Sequence, residues 1–113
     1  MGAKFDFQAL GQPLEADWPV LVRVPTDGGE TVEQSFMARF KLLDEAETAA
    51  LTAEAAEGSR PYAWIEGFWL GLAASEETTL TPELRAQMLG RPYVRAGLVG
   101  AYTRFAQGVA AKN

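Results

Sequence analysis

Residues 20–43 read VLVRVPTDGGETVEQSFMARFKLL, and the reading of this stretch decides the fold. Val20, Val22 and Val24 alternate with Leu21, Arg23 and Pro25, the period of two expected of a strand with one apolar face. The next segment, PTDGGE, is turn chemistry, because Gly28 and Gly29 supply the positive φ that a tight reversal needs. Residues 31–40 alternate again. Val32, Phe36, Ala38 and Phe40 lie on one side, and Thr31, Glu33, Ser35 and Arg39 on the other. Gln34 interrupts the apolar side and Met37 the polar one. The pattern predicts a β-hairpin over roughly 19–39. A two-stranded hairpin alone is marginal in water, so it must pack on helices or gain a further strand, for which residues 4–10 are a candidate.

Before the hairpin, residues 1–17 show little periodicity and contain Gly11 and Pro13, so they are expected to form an N-terminal arm. After it the period changes to that of helices. Asp44 followed by Glu47 has the spacing of a capping box, and the Ala-, Glu- and Leu-rich run behind it ends at Gly58, predicting a helix over 44–57. Ser59-Arg60-Pro61 resembles a cap with proline in the first turn, predicting a second helix over about 60–70 through YAWIEGFWLGL. Gly67 and Gly71 weaken it, so the helix is expected to be firm to about residue 67 and looser beyond. Thr81-Pro82-Glu83 opens a third helix that Gly90 and Pro92 end at about residue 89. A fourth follows over about 92–110, with Val94, Leu98, Ala101, Tyr102, Phe105 and Val109 on one stripe. The expected fold class is therefore α+β, an N-terminal β-hairpin packed on a mainly helical body of about four helices. Residues 18–113 would form a single domain. Trp64, Phe68, Leu98, Tyr102 and Phe105 are expected to meet in its core with Phe36 and Phe40.

The 113 residues carry 15 carboxylates and 10 cations, and these are unevenly placed. Every carboxylate falls at or before Glu83, whereas Arg85, Arg91, Arg95, Arg104 and Lys112 come after it. Such a split marks possible contacts with a charged partner or a second copy of the chain; equally, a basic helix can fold back on an acidic body. If the basic helix of one copy meets the acidic helix of another, self-association would be head-to-tail. The face formed by Asp44, Glu45, Glu47, Glu54 and Glu57 is likewise either a contact surface for something basic or a solvated face. The aromatic run is core or an interface patch, since Trp is a favoured hot-spot residue. The candidate partner-binding residues are Trp64, Phe68, Trp69, Arg91, Arg95 and Arg104.

Composition narrows the chemistry. With no His and no Cys, the usual general base, the usual metal ligands and the thiolate nucleophile are missing. Ser35, Ser59 and Ser75 have no His to activate them, and Asp44-Glu45 and Glu76-Glu77 are adjacent pairs that point apart. No glycine pair is followed by the Lys and Ser or Thr of a phosphate loop. No enzyme activity, cofactor or metal is expected. The sequence pI near 4.7 argues against nucleic acid as a partner, and no apolar run is long enough for a membrane span. The opening MGAKFDFQAL lacks the apolar stretch of a signal peptide, and Asp6 stands where a myristoylation site needs Ser or Thr. A cytoplasmic protein is the default expectation.

Taken in order, the hairpin VLVRVPTDGGETVEQSFMARFKLL, the acidic helix DEAETAALTAEAAEG, the aromatic WIEGFWLGL and the segment LTPELRAQMLGRPYVRAGLVGAYTRFAQGVAAKN resemble the tail assembly chaperones of lambda-like long-tailed phages and prophages. The resemblance spans roughly residues 18–113 and rests on the order of the elements. It departs from the family pattern where Gly67 precedes Phe68-Trp69. It implies non-catalytic work in the cytoplasm of a bacterial host. Such a protein coats the tape-measure protein, keeps its long apolar helix from aggregating, yields to polymerising tail-tube protein and is absent from the mature virion. It also implies a homo-oligomer and, in many relatives, a longer form made by a translational frameshift, of which this chain would be the short form. Two other classes are a small structural tail component retained in the virion and a helical adaptor or regulatory module.

Overall fold

A computed structural model describes residues 2–111; Lys112 and the Lys-Asn ending lie outside the described residues. Three strands and four α-helices are present among them. β1 (Glu15–Pro25) and β2 (Thr31–Lys41) form the hairpin, followed by α1 (Glu45–Glu57), α2 (Ala63–Phe68), β3 (Trp69–Leu72), α3 (Pro82–Leu89) and α4 (Pro92–Gln107). The fold is α+β, with a three-stranded antiparallel sheet in the order β1-β2-β3.

The hairpin is longer than its alternation suggested. Its register runs unbroken from Glu15 opposite Lys41 to Pro25 opposite Thr31, so three residues assigned to the arm, 15–17, belong to β1. The reversal is closed by Gly28 and Gly29, both with φ near 80°, and by the Thr26 N–H donating to the Glu30 carbonyl at 2.8 Å. Directly opposed residues share a face, so Trp18, Val20, Val22 and Val24 stand with Ala38, Phe36, Gln34 and Val32. The Thr26–Glu30 and Leu42–Leu14 bonds also set which amides face inward: the even-numbered residues bond within the hairpin. Pro19 and Pro25 therefore occupy outward positions of the edge strand, where a missing N–H costs nothing and discourages a further strand.

The third strand does not come from residues 4–10, where the structure has a single 3-10 turn at Phe7–Gly11. It comes from the aromatic run. That run is helical only over Ala63–Phe68, and Trp69–Leu72 pairs with β2, Phe40 opposite Trp69 and Ala38 opposite Leu72. The expected helix over 60–70 is thus corrected at both ends. Tyr62, not Ser59, precedes its first turn, and the strand begins where the glycines and the bulky WLGL segment disfavour a helix. The register slips between Arg39 and Phe40, skipping Leu70, which is exposed.

The remaining helices follow their sequence signals. Asp44 accepts the Glu47 N–H at 2.7 Å while the Glu47 carboxylate accepts the Asp44 N–H at 3.1 Å, a complete capping box. Thr81 caps α3 through the Leu84 N–H, with Pro82 in its first turn. α4 stops at Gly108, whose φ of 71° is left-handed, three residues short of the expected limit. It packs its stripe against the sheet as far as Phe105, whereas Val109, expected on that stripe, lies past the helix end and is exposed. Phe40, Phe68, Trp69, Leu98 and Val20 are fully buried, with Tyr102, Phe105 and Val94 close behind. Trp64 and Phe36, expected in the core, are half-buried against its rim.

Candidate partner-binding surface

Of the six residues singled out as partner contacts, the structure buries two outright. Phe68 and Trp69 have no exposed surface, so in this fold they are core and not contact residues. Phe68 is held between Phe40 and Trp64 with its ring face on Tyr102, and Trp69 is built into β3. Trp64 keeps some surface. The indole N–H groups of Trp18, Trp64 and Trp69 are all enclosed without an acceptor from the protein.

The charge split resolves as the basic helix folding back on the body, one of the two sequence readings, but without ion pairs between the two parts among the described residues. The salt bridges among the described residues all lie within the acidic part: Arg23 with Glu33, Arg39 with Glu15 and Asp17, Lys41 with Glu47, and Arg60 with Glu54 and Glu66. Arg60, hydrogen-bonded to Glu66 and beside the charge of Glu54, is held above the usual arginine range. The arginines of the basic part go instead to carbonyls and rings. Arg95 donates to the Leu89 carbonyl at 2.7 Å and lies 4.7 Å from the Tyr62 ring centroid. Arg104 donates to the Ala110 carbonyl through Nε and Nη2. Arg85, counted in the basic part but not among the candidate partner-binding residues, donates to the Trp69 and Leu70 carbonyls and covers the Trp69 ring at 4.6 Å. Burial lowers its pKa. The basic helix does fold onto the body, but by apolar packing and carbonyl bonds, not by ion pairs. Arg91, at the start of α4, is exposed.

The acidic face of α1 is also partly used within the chain. Glu47 and Asp44 serve the capping box, and Glu54 holds Arg60. Glu45 and Glu57 face solvent.

Two surfaces emerge that no sequence motif announced. The first is the outer half of the hairpin, which runs past the helices. Val24 and Phe36 are half-buried and Val32 is about half exposed, although all three lie on the sheet's apolar face. Gln34 interrupts that face where the helical cover ends, which accounts for the polar residue. Between the hairpin and the α3–α4 junction lies a groove of about 360 Å3 lined by Val22, Val24, Phe36, Met88, Tyr93 and Val94 together with Gln34 and Ser35. The second is a cleft of about 410 Å3 between the far side of β1 and α4. Its depth comes from Gly97 and Gly100. Gly97 lies directly on the Leu21 carbonyl, and a Cβ there would stand 2.7 Å from that oxygen. The signal for this contact was present in the sequence as Ala96-Gly97 and Gly100 inside a long helix, where glycine is otherwise unfavourable.

Among the described residues no group of three or more His, Cys, Asp or Glu side chains is placed to hold a metal ion, and no helix is long and apolar enough to cross a membrane. Comparison with protein-family models, with curated proteins and with solved structures returns no match.

Proposed function

We propose that the chain is a non-catalytic tail assembly chaperone that binds an apolar helix of a tape-measure protein in the bacterial cytoplasm, helps tail-tube protein polymerise and does not remain in the mature virion. The observation that carries this reading is the groove under the outer hairpin. Valines and Phe36 from the sheet meet Met88 and Tyr93 from the helices there, and the sheet face beyond it is left open. An amphipathic helix binds by laying its apolar side into such a groove, and Met adapts its shape to irregular apolar partners. The order of elements on which the family resemblance rests supports the same reading: a hairpin, an acidic helix, an aromatic segment, a short helix and a terminal helix after a proline break. The lack of His and Cys fits work done by binding.

The reading is tested by co-expressing the chain with the tape-measure segment encoded in the same genome. The segment's soluble fraction should rise and the two should co-elute. Val32→Asp, on the half-exposed outer stretch of the same sheet face, should abolish co-elution while leaving the thermal melt of the chain nearly unchanged. A segment that stays insoluble with the wild-type chain would defeat the proposal. So would a gene position away from the tail-tube and tape-measure genes.

A further inference from the structure

The arm preceding β1 carries large apolar side chains that nothing in its own domain covers. Phe5, Phe7, Leu10 and Leu14 are 63%, 77%, 73% and 50% exposed, and no residue of the 3-10 turn is buried. Exposed apolar residues scattered singly need no explanation, but four within ten residues mark an interaction site. The arm is also locally shaped. Asp6 accepts the Gln8 N–H at 3.1 Å, and the Phe5 and Phe7 rings meet edge to face at 5.1 Å, forming a compact two-ring plug. With the arm included, the radius of gyration is 15.4 Å, against roughly 13 Å for a compact chain of this length.

We propose that this plug seats in the cleft between β1 and α4 of a second copy of the chain. The cleft is apolar along its walls, with Pro19 and Leu21 on one side and Ala96, Gly97 and Gly100 on the other. An added Cβ at Gly100 meets nothing within 4 Å, so the space above the helix is open to a ring from outside. The charges complement one another. Among the described residues the lining holds two cations and no carboxylate: Arg23 is paired with Glu33, whereas Arg104 makes its hydrogen bonds to the Ala110 carbonyl and faces no carboxylate. The plug brings Asp6 between its two rings. Two phenylalanines bury about 150–250 Å2 each, so with Leu10 the contact lies at the low end of specific interfaces, below about 1,200 Å2 in total. It is a weak contact made repeatedly. Each copy offers a plug at one place and a socket at another, the heterologous arrangement that closes into rings or extends as open helices. This inference is independent of the client, and holds whether or not the chain serves a tape-measure protein.

Because the chain contains no Cys, disulfide trapping starts from a clean background. Phe7→Cys and Gly100→Cys are made separately in the full chain, one is given a size tag, and the two are mixed and oxidised. Mixed dimers should greatly outnumber either homodimer, and excess wild-type chain should suppress them. A random distribution of the three dimers would mean collision alone and would overturn the proposal. A Phe7→Cys/Gly100→Cys double variant that closes on itself, with no cross-linking between copies, would place the arm in its own cleft and overturn it equally. Sedimentation supplies a second reading. Wild-type mass should rise with concentration, and both Phe5→Ser/Phe7→Ser and the cleft-filling Gly100→Leu should weaken association by about tenfold or more, with thermal melts near wild type. Wild-type chain that stays monomeric at every concentration, or Gly100→Leu that assembles like wild type, would leave the arm to some other partner and sink the inference.

Discussion

Phe68 and Tyr102 stack face to face, ring centroids 4.0 Å apart and planes 11° from parallel, and the Tyr102 hydroxyl accepts the Leu43 backbone N–H at 3.0 Å. One side chain of α4 thus fixes both the aromatic helix and the exit from β2. Tyr102→Phe keeps the stack but leaves a buried N–H unanswered, which costs about 1–3 kcal/mol. Tyr102→Ala removes both and should cost about 3–5 kcal/mol. Urea melts of the two variants should fall in that order. Equal losses would mean that the hydroxyl contributes nothing.

Phe105 packs edge to face on Trp18 at 5.3 Å and contacts Phe40 and Tyr102, with only 8% of its surface exposed. Phe105→Ala should cost about 3–5 kcal/mol. A loss near zero in denaturant melts would mean that the residue works at an outer contact instead.

Gly97 and Gly100 offer a paired test within one helix. Alanine at Gly97 gains helix propensity of about 1 kcal/mol, yet its Cβ would stand 2.7 Å from the Leu21 carbonyl oxygen and 3.1 Å from Val22 Cγ2. The nearer neighbour is backbone and cannot step aside, so Gly97→Ala should destabilise by about 1–3 kcal/mol. At Gly100 nothing lies within 4 Å, and Gly100→Ala should stabilise by about 0.5–1 kcal/mol. Melts that move in the same direction for both would contradict the close approach of α4 to β1.

How far the sequence foretold this molecule depends on which physical signal each element carried. The hairpin, the capping box at Asp44, Thr81-Pro82 and the α4 stripe rest on local chemistry, and local chemistry survives in the sequence. The break at Trp69 does not. A short apolar run such as WIEGFWLGL has no period that separates helix from strand, and what turns it is pairing with Phe40, distant in the chain. The binding surfaces were less legible still. Trp69 and Phe68 look like hot-spot residues in isolation but are the most enclosed part of the core. Phe5 and Phe7 look like an irregular lead-in, and only the finished fold shows that nothing covers them. The arginines raise the same difficulty, because composition counts charges and is silent about carbonyl oxygens.

That difficulty has a measurable consequence for α4. Arg91 and Arg95 sit one turn apart, and a reading from charge alone treats them as equivalent. Arg91 is exposed, whereas Arg95 donates to the Leu89 carbonyl at 2.7 Å and covers the Tyr62 ring. A charge-assisted bond to a carbonyl contributes about 1.5–3 kcal/mol, and a cation over an aromatic face adds about 0.5–2 kcal/mol. Arg95→Glu removes both and sets a carboxylate against a carbonyl oxygen and a ring face, so it should destabilise the fold by at least about 2 kcal/mol. Arg91→Glu should change stability by less than about 0.5 kcal/mol. If charge on α4 also orients copies of the chain, Arg91→Glu should shift sedimentation at low salt and lose its effect as the Debye length falls below about 8 Å. The order of the two melts decides between the roles. Arg91→Glu and Arg95→Glu variants of equal stability would mean that Arg95 is held no more firmly than a free surface cation, and its reversal would then report on association alone.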